Sequence, residues 1–199
     1  MPSSSPSPRA SLTLVFMAFG AFVGCWAGSI PTVARAALAG NLELGIGLSV
    51  STLAGVSIMG LGGKMARVLT GRTLIASALV LSAFSTALLL LSGSPWVLLL
   101  NMILFGACLG LLDISMNAEA GAIERELKRP VFTSFHGALS AAMPLFAILS
   151  SAMSVRYGLA YTVIACLAIS APAIAAALIG LPSRPPAPAR GGAAFRFRP

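Results

Sequence analysis

Three polar side chains interrupt a part of the chain that is otherwise apolar: Asp113, Asn117 and His136. A carboxylate at the centre of a bilayer costs on the order of 3 kcal/mol, so it requires a partner or a water-filled cavity. Residues four apart share one face of a helix, which places Asp113 beside Asn117. Imidazole has an ordinary pKa of about 6.5 and can relay protons near neutral pH. These residue types predict a pathway for a hydrogen-bonding solute, a proton, or both.

The depth of these side chains follows from their positions along two consecutive helices. Counted from Pro95 at about 1.5 Å per residue, Asp113 lies roughly 27 Å along its helix. With Arg125 as the loop centre, Asp113 and His136 lie at similar depth on antiparallel helices, where they could face the bundle interior. Trp26, in the middle of the first apolar run, could line the same cavity. Each residue also has an alternative placement that the sequence leaves open. Asp113 could meet headgroup water where its helix ends, and His136 could bridge helix ends near the headgroups.

Other chemistries find less support among the remaining polar residues. Ser134 and His136 are two residues apart and would diverge on a helix, so they form no nucleophile–base pair and an enzyme is not expected. Each of the three cysteines lies inside an apolar run without metal-ligand spacing, which predicts small buried hydrophobic residues and neither metal nor cofactor. A solvated loop, with ion pairs worth about 0–1 kcal/mol each, is predicted for Glu119, Glu124, Arg125, Glu126, Lys128 and Arg129.

The composition requires a lipid environment. Of the 199 residues, 57% are hydrophobic and 9% are charged, and the mean hydropathy is +0.94. Soluble domains carry about 25% charged residues, so the core of so short a chain cannot hide this much apolar surface. The formal charge of +8 comes from short basic clusters between apolar runs. Such clusters predict contact with anionic lipid, and nucleic acid is not an expected partner.

Six apolar runs are long enough to cross a bilayer, since about 20 apolar residues span a hydrocarbon core of about 30 Å. They cover residues 12–34, 44–62, 73–91, 95 to between 112 and 118, 131–155 and 157–181. The predicted fold is an all-α, polytopic bundle of six transmembrane helices over residues 12–181. It follows a cytoplasmic segment, 1–11, and precedes a disordered Pro/Arg-rich tail, 182–199. Eleven of the 13 Lys and Arg residues fall on the side of both termini, which predicts cytoplasmic N and C termini.

Small residues recur on one face of two helices. Gly20, Gly24 and Gly28 follow each other at spacing four in the first run, and Gly106 and Gly110 do so in the fourth. Such stripes let helix backbones approach closely in lipid. Because the stripe returns in the first helix of each group of three, it indicates a three-plus-three internal repeat, which is typical of secondary transporters.

Three segments together resemble transporters of the major facilitator superfamily. They are the glycine run that ends in "GSIP" at Pro31, "GLLDISMNAEA" at residues 110–120 and "RPVFTSFHGALS" at residues 129–140. Within the superfamily they resemble a bacterial branch of sugar-transporter-like proteins related to the fucose–proton symporter. The resemblance covers residues 12–181 and implies the amino-terminal six-helix half of that fold. It also implies a place in the bacterial inner membrane and a small solute, with sugar as the expected class.

The chain departs from this family in two places. The family's loop between helices two and three usually reads Gly-x-Leu-Ala-Asp-Arg-x-Gly-Arg-Arg. In "GKMARVLTGR" the residues that keep this pattern are Gly63, Ala66 and Arg72. Arg67 stands where the aspartate belongs, so the charge network of that loop is altered. Asp113 matches the family's acid on helix four, whereas the acid on helix one would align near Ala27, so a two-acid proton relay is not implied.

The resemblance implies secondary-active transport by alternating access, with proton symport as an additional hypothesis. Such transporters have twelve helices in two halves with the binding site between them, whereas six apolar runs are present here. The expected partners are membrane lipid, a small-molecule solute, and either a second six-helix half or a second copy of the chain. The alternative function is a truncated, non-transporting six-helix membrane protein or scaffold.

Overall fold

The computed structural model describes residues 6–65 and 69–184 of the chain, the side chains of 62–65 excepted. In that part the chain forms six long helices: α1 (Pro8–Ala37), α2 (Asn41–Met65), α3 (Gly71–Leu90), α4 (Pro95–Leu127), α5 (Phe132–Arg156) and α6 (Leu159–Gly180). Each of the six contains a segment long and apolar enough to cross a membrane. The predicted six-helix membrane bundle is thereby confirmed.

Local capping chemistry sets several of the helix starts. Ser7, Thr70 and Ser94 precede α1, α3 and α4, and each side-chain oxygen accepts a hydrogen bond from the backbone N–H three residues later. These bonds satisfy N–H groups that have no partner within the helix. Pro8 and Pro95 occupy the first helical positions of α1 and α4, where the missing N–H of proline costs nothing. Because of its cap, α1 begins inside the predicted segment 1–11.

Helix α4 is longer than the sequence predicted. It was expected to end between residues 112 and 118, but it continues to Leu127 and stops where Lys128 adopts a left-handed conformation at φ 50°. Ala, Glu, Arg and Leu are strong helix formers, so the helix persists beyond its apolar part. The interpretation of Glu119, Glu124, Arg125 and Glu126 as a solvated loop is therefore wrong; only Lys128 and Arg129 lie in the connection to α5.

The two glycine stripes form two equivalent helix contacts. A side chain at Gly20, Gly24 or Gly28 of α1 would collide with main-chain carbonyl oxygens of α5, those of Leu139, Met143 and Ala147. In the same way, a side chain at Gly106 or Gly110 of α4 would collide with the carbonyl oxygens of Ser51 and Gly55 on α2. At both stripes a second backbone therefore occupies the space of the missing side chain, so glycine is required there.

Each of these contacts joins a helix of the first group of three (α1–α3) to a helix of the second group (α4–α6). The first helix of each group packs against the second helix of the other group, as α1 on α5 and α4 on α2. The contact of α1 with α6 corresponds in the same way to the contact of α4 with α3, since each joins the first helix of one group to the third helix of the other. The two third helices, α3 and α6, pack on each other. This pattern is what a three-plus-three repeat produces, since three helices invert the direction of the second group in the membrane.

Burial is unequal among the six helices. In the most apolar part of α1 and of α3, 61% of the residues are buried, against 6% in α2 and 17% in α5. The core accordingly lies along α1, α3 and α4, where Phe16, Phe22, Leu79 and Leu112 are fully buried. Helices α2 and α5 flank this core and leave large apolar faces uncovered.

Candidate functional site

Asp113 and Asn117 form a hydrogen-bonded pair on α4. The amide Nδ2 of Asn117 donates to Oδ1 of Asp113 at 2.9 Å, and both residues are half-buried. The predicted common helix face is therefore present. The amide oxygen Oδ1 of Asn117 is buried, yet no donor reaches it from the residues that the structure describes. An unsatisfied polar atom at this position costs free energy that a hydrogen-bonding ligand or water would recover.

His136 lies near the start of α5, within electrostatic range of Asp113. Its ring is half-buried between two aromatic side chains, with ring centroids 5.3 Å from Phe16 in an edge-to-face arrangement and 4.9 Å from Phe132. Phe16 also stacks on the buried Phe135 at 5.4 Å. The aromatic cluster fixes the imidazole beside α1, whereas Asp113 and Asn117 pair on α4, and no hydrogen bond joins His136 to that pair among the described residues.

Trp26 takes a different position from that group. It is 5% exposed and packs against Phe105 of α4, with ring centroids 6.5 Å apart and the planes at 60°. Aromatic pairs in this edge-to-face arrangement contribute to packing beyond the area that they bury. Trp26 thus stabilises the α1–α4 contact in this state of the chain, and its part in lining a solute cavity stays a prediction.

The loop between α2 and α3 is described only in part. Ala66 and Arg67 lie outside the described residues, and for Gly63 only the helical backbone at the end of α2 is described. Arg72 stands in the first turn of α3 and is half-buried. The neighbouring Gly71 touches another element: a side chain there would lie 3.0 Å from the carboxylate oxygen Oε2 of Glu119.

A cluster of charges that sequence reasoning missed joins α4 to the segment after α6. Glu119 is buried, and its Oε1 accepts a hydrogen bond from Nε of Arg184 at 3.0 Å. The same guanidinium binds both carboxylate oxygens of Glu126, with Nη2 to Oε2 at 3.0 Å. The pKa of Arg184 lies above its usual range, mainly because of the hydrogen bond to Glu126, and the hydrogen bond to Glu119 raises it further. We name this cluster, Glu119, Glu126 and Arg184, the charge clamp.

A third glutamate in this region was also placed wrongly by the sequence interpretation. Oε2 of Glu124 accepts hydrogen bonds from the backbone N–H of Val131 at 2.9 Å and of Phe132 at 2.7 Å. It therefore caps the start of α5, which has no cap of its own from Val131. The spacing of Glu119 and Glu126, seven residues apart on one helix face, was the available signal for a common partner, but the arginine lies far away in the sequence.

The described residues hold no group of three His, Cys, Asp or Glu side chains that could bind a metal ion. Cys25, Cys108 and Cys166 are buried free thiols in α1, α4 and α6, as predicted. The site thus consists of a carboxylate, an amide and an imidazole within a helical membrane bundle. Side chains of these types can form hydrogen bonds to a ligand.

Comparison with known proteins gives three relatives of low identity. The chain is 32% identical over 142 residues to the membrane protein MosC of Rhizobium meliloti. It is 28% identical over 142 residues to an uncharacterised MFS-type transporter of Yersinia pestis, and 26% identical over 138 residues to an uncharacterised transporter of Sinorhizobium fredii. The matches cover 67%, 67% and 65% of this chain.

Each match covers only part of the relative, namely 34%, 35% and 34% of its length. The chain thus spans about a third of the curated relatives it matches. No family model matches the chain, and no solved structure does so. Nothing in these relatives singles out the fucose–proton symporter branch, which stays a prediction. The six apolar helices and the three relatives together make this chain a multi-pass membrane protein similar to transporters of the MFS, or major facilitator, type.

Proposed function

We propose that the chain is one six-helix half of a secondary-active transporter for a small solute, with the solute path beside Asp113, Asn117 and His136. The observation that carries this proposal is the buried Oδ1 of Asn117 next to a carboxylate, which no donor reaches within residues 6–65 and 69–184. Polar groups inside membrane segments mark substrate or ion paths by default. A solute hydroxyl or amide N–H would donate to Oδ1, while the second oxygen of Asp113 accepts another. This pair suits a polyhydroxylated solute such as a sugar, the class that the sequence resemblance implies.

A second six-helix unit completes the proposed transporter. Helices α2 and α5 are the least buried of the bundle, and relatives named as transporters are about three times as long as the matched region. The second unit, either another half or a second copy, would cover α2 and α5. Alternating access then arises when the two units rock against each other around a site at their interface.

Proton coupling is the further part of this proposal, with Asp113 and His136 as the exchanging groups. Both are half-buried, and they lie within electrostatic range across α4 and α5. A proton on either residue changes the attraction between the two helices. Transport of a solute that contacts Asp113 would then depend on the protonation of this pair.

Both termini are proposed to lie in the cytoplasm of a bacterial cell, on the strength of the distribution of Lys and Arg.

Counterflow in proteoliposomes tests the function. The full chain is reconstituted alone, and uptake of labelled fucose, galactose and glucose against a preloaded sugar is measured. Saturable uptake that Asn117→Ala abolishes supports the proposal. The matched control is Asn101→Ala on the same helix, because the Asn101 amide already donates to Leu88 O at 2.9 Å and Ser92 Oγ at 3.0 Å. Equal loss in both variants would contradict a solute role for Asn117, and unchanged pH-driven uptake in His136→Ala would contradict the relay.

The alternative function is a truncated, non-transporting six-helix membrane protein or scaffold. Vesicles that stay inert with every sugar, while a twelve-helix transporter prepared in parallel is active, would exclude a transporter formed by two copies of this chain and would leave this alternative or a different second half. If the alternative holds, the polar pair is a remnant without a ligand, and neither Asn117→Ala nor His136→Ala has a functional effect.

A further inference from the structure

Two of the three buried thiols form a pair at the contact between α1 and α6. The side chain of Cys25 on α1 lies within hydrogen-bonding reach of the side chain of Cys166 on α6. The third thiol, that of Cys108 on α4, instead has the hydroxyl of Ser85 as its neighbour. All three cysteines are free. The fold therefore brings two reduced sulfur atoms together from helices that are far apart in the sequence.

A mostly apolar cavity between α5 and α6 reaches this pair at Cys25. Its volume is about 180 Å³, and Cys25 forms part of its wall. Its α6 side is lined by Thr162 and Ala165, which stand four positions and one position before Cys166. On the α5 side it is lined by Leu149, which is 45% exposed. The cavity thus extends from the pair towards a surface of the bundle that faces hydrocarbon in a membrane.

The position of the pair decides which reagents can reach it. Cys25 is 3% exposed and Cys166 is 2% exposed, and both lie in helices apolar enough to cross a membrane. A reagent must therefore be soluble in lipid and small enough for the cavity. An apolar cavity of about 150 Å³ accommodates benzene, so a single six-membered ring fits here. A quinone is such a ring, and it accepts the two electrons and two protons that a pair of thiols can supply.

From this arrangement we propose that Cys25 and Cys166 are a redox-active pair, which a membrane quinone in the α5–α6 cavity oxidises to a disulfide. Both S–H bonds break and one S–S bond forms, while two electrons and two protons reduce the quinone to a hydroquinone. The thiols and the disulfide are uncharged, so oxidation leaves no charge among the apolar helices. The new bond joins α1 to α6. The proposal uses no residue of the proposed solute path, so it is independent of transport.

Thiol counting on the full chain in detergent tests the pair. The probe is duroquinone, whose fully methylated ring has no free position to which a thiol could add. After incubation the chain is unfolded, its free thiols are labelled with a maleimide, and the labels on the monomer are counted by mass spectrometry. The unchanged chain has three cysteines and should fall from three labels to one. Cys108→Ser should lose both of its labels, whereas Cys25→Ser should keep both.

Two phenylalanine variants test the route without changing a cysteine. Ala165→Phe fills the cavity that Ala165 lines and should slow the loss of labels about tenfold, because the quinone would have to displace the new ring. Ala168→Phe, at an exposed position of the same helix, is the matched control and should react like the unchanged chain. Equal rates in the two variants would overturn the route through the cavity. Three labels retained in the unchanged chain, or labels lost in Cys25→Ser, would overturn the pair itself.

Discussion

Two carboxylates on α4 lie less than two helical turns apart and meet opposite surroundings. Glu119 is buried and bound by the guanidinium of Arg184. Asp113 is half-buried, and the hydrogen-bond partner that the structure shows is the neutral amide of Asn117. One acid therefore has a charged partner from a distant part of the chain, whereas the other has a neutral neighbour from its own helix.

The difference separates structural stability from proposed function. A buried carboxylate with a charged partner is strongly destabilised when that partner is removed, because a charge without compensation remains. A half-buried carboxylate whose neighbour has a free acceptor can change partners at little cost. We therefore expect the charge clamp to hold the fold, and the Asp113–Asn117 pair to be available for a ligand.

The largest effect is expected from Arg184→Gln. This change leaves Glu119 buried without a cation, and we expect a loss of about 3 kcal/mol, at the lower end for buried pairs because Arg184 still reaches water. Reversible unfolding of the full chain in mixed detergent micelles measures it. The control is Glu126→Gln, whose side chain is 60% exposed and which should change stability little. Equal losses in both variants would show that the burial of Glu119 is not the cause.

Replacing both Glu119 and Arg184 tests whether the unpaired buried charge causes the loss of stability. In Glu119→Gln combined with Arg184→Gln the buried charge is gone, and we expect the chain to recover about 1–2 kcal/mol relative to Arg184→Gln alone. The measurement is a double-mutant cycle from the same unfolding experiment. If the losses of the two single variants simply add, the two side chains are not coupled.

A smaller effect is expected from Asn117→Ala. The change removes the hydrogen bond to Asp113, which in this half-buried place should cost about 1 kcal/mol. Solute counterflow should fall much more strongly than stability if the proposed path is correct. Full counterflow at reduced stability would remove Asn117 from the solute path and leave it a structural residue.

The smallest effect on stability is expected from Asp113→Asn. The amide keeps the shape of the carboxylate and can still accept from Asn117, and it removes a charge that is costly in a membrane. The unfolding free energy should change by less than about 0.5 kcal/mol, whereas any pH dependence of counterflow should disappear. A large stability loss here would mean that Asp113, like Glu119, holds the fold.

Much of the fold was predictable because helix length in a membrane is set by the bilayer. The lengths of the six apolar runs predicted the number of helices. The glycine stripes indicated close contacts, and the close contacts exist. Their partners were not predictable, because a stripe specifies a flat helix face and not the helix that covers it.

The charge clamp could not have been predicted, for a related reason. Glu119 and Arg184 are separated by 65 residues, and the sequence around each of them reads as a solvated end of the bundle. Helix formers in "AEAGAIEREL" extended α4 beyond its apolar part, which turned a predicted loop into a helix face. Asp113 and Asn117 were predictable together because their contact lies within one helix.

The crossed glycine contacts have a consequence for synthesis of the chain in the cell. Ser150 of α5 donates to the carbonyl of Gly24 of α1, and 126 residues separate the two. At typical translation rates, α1 therefore waits about 6–25 s in the membrane before the surface that covers its glycines has been made. During that interval the exposed backbone stripe is open to lipid, to insertion factors or to another copy. Premature pairing at this stripe is thus a folding error to which this architecture is exposed.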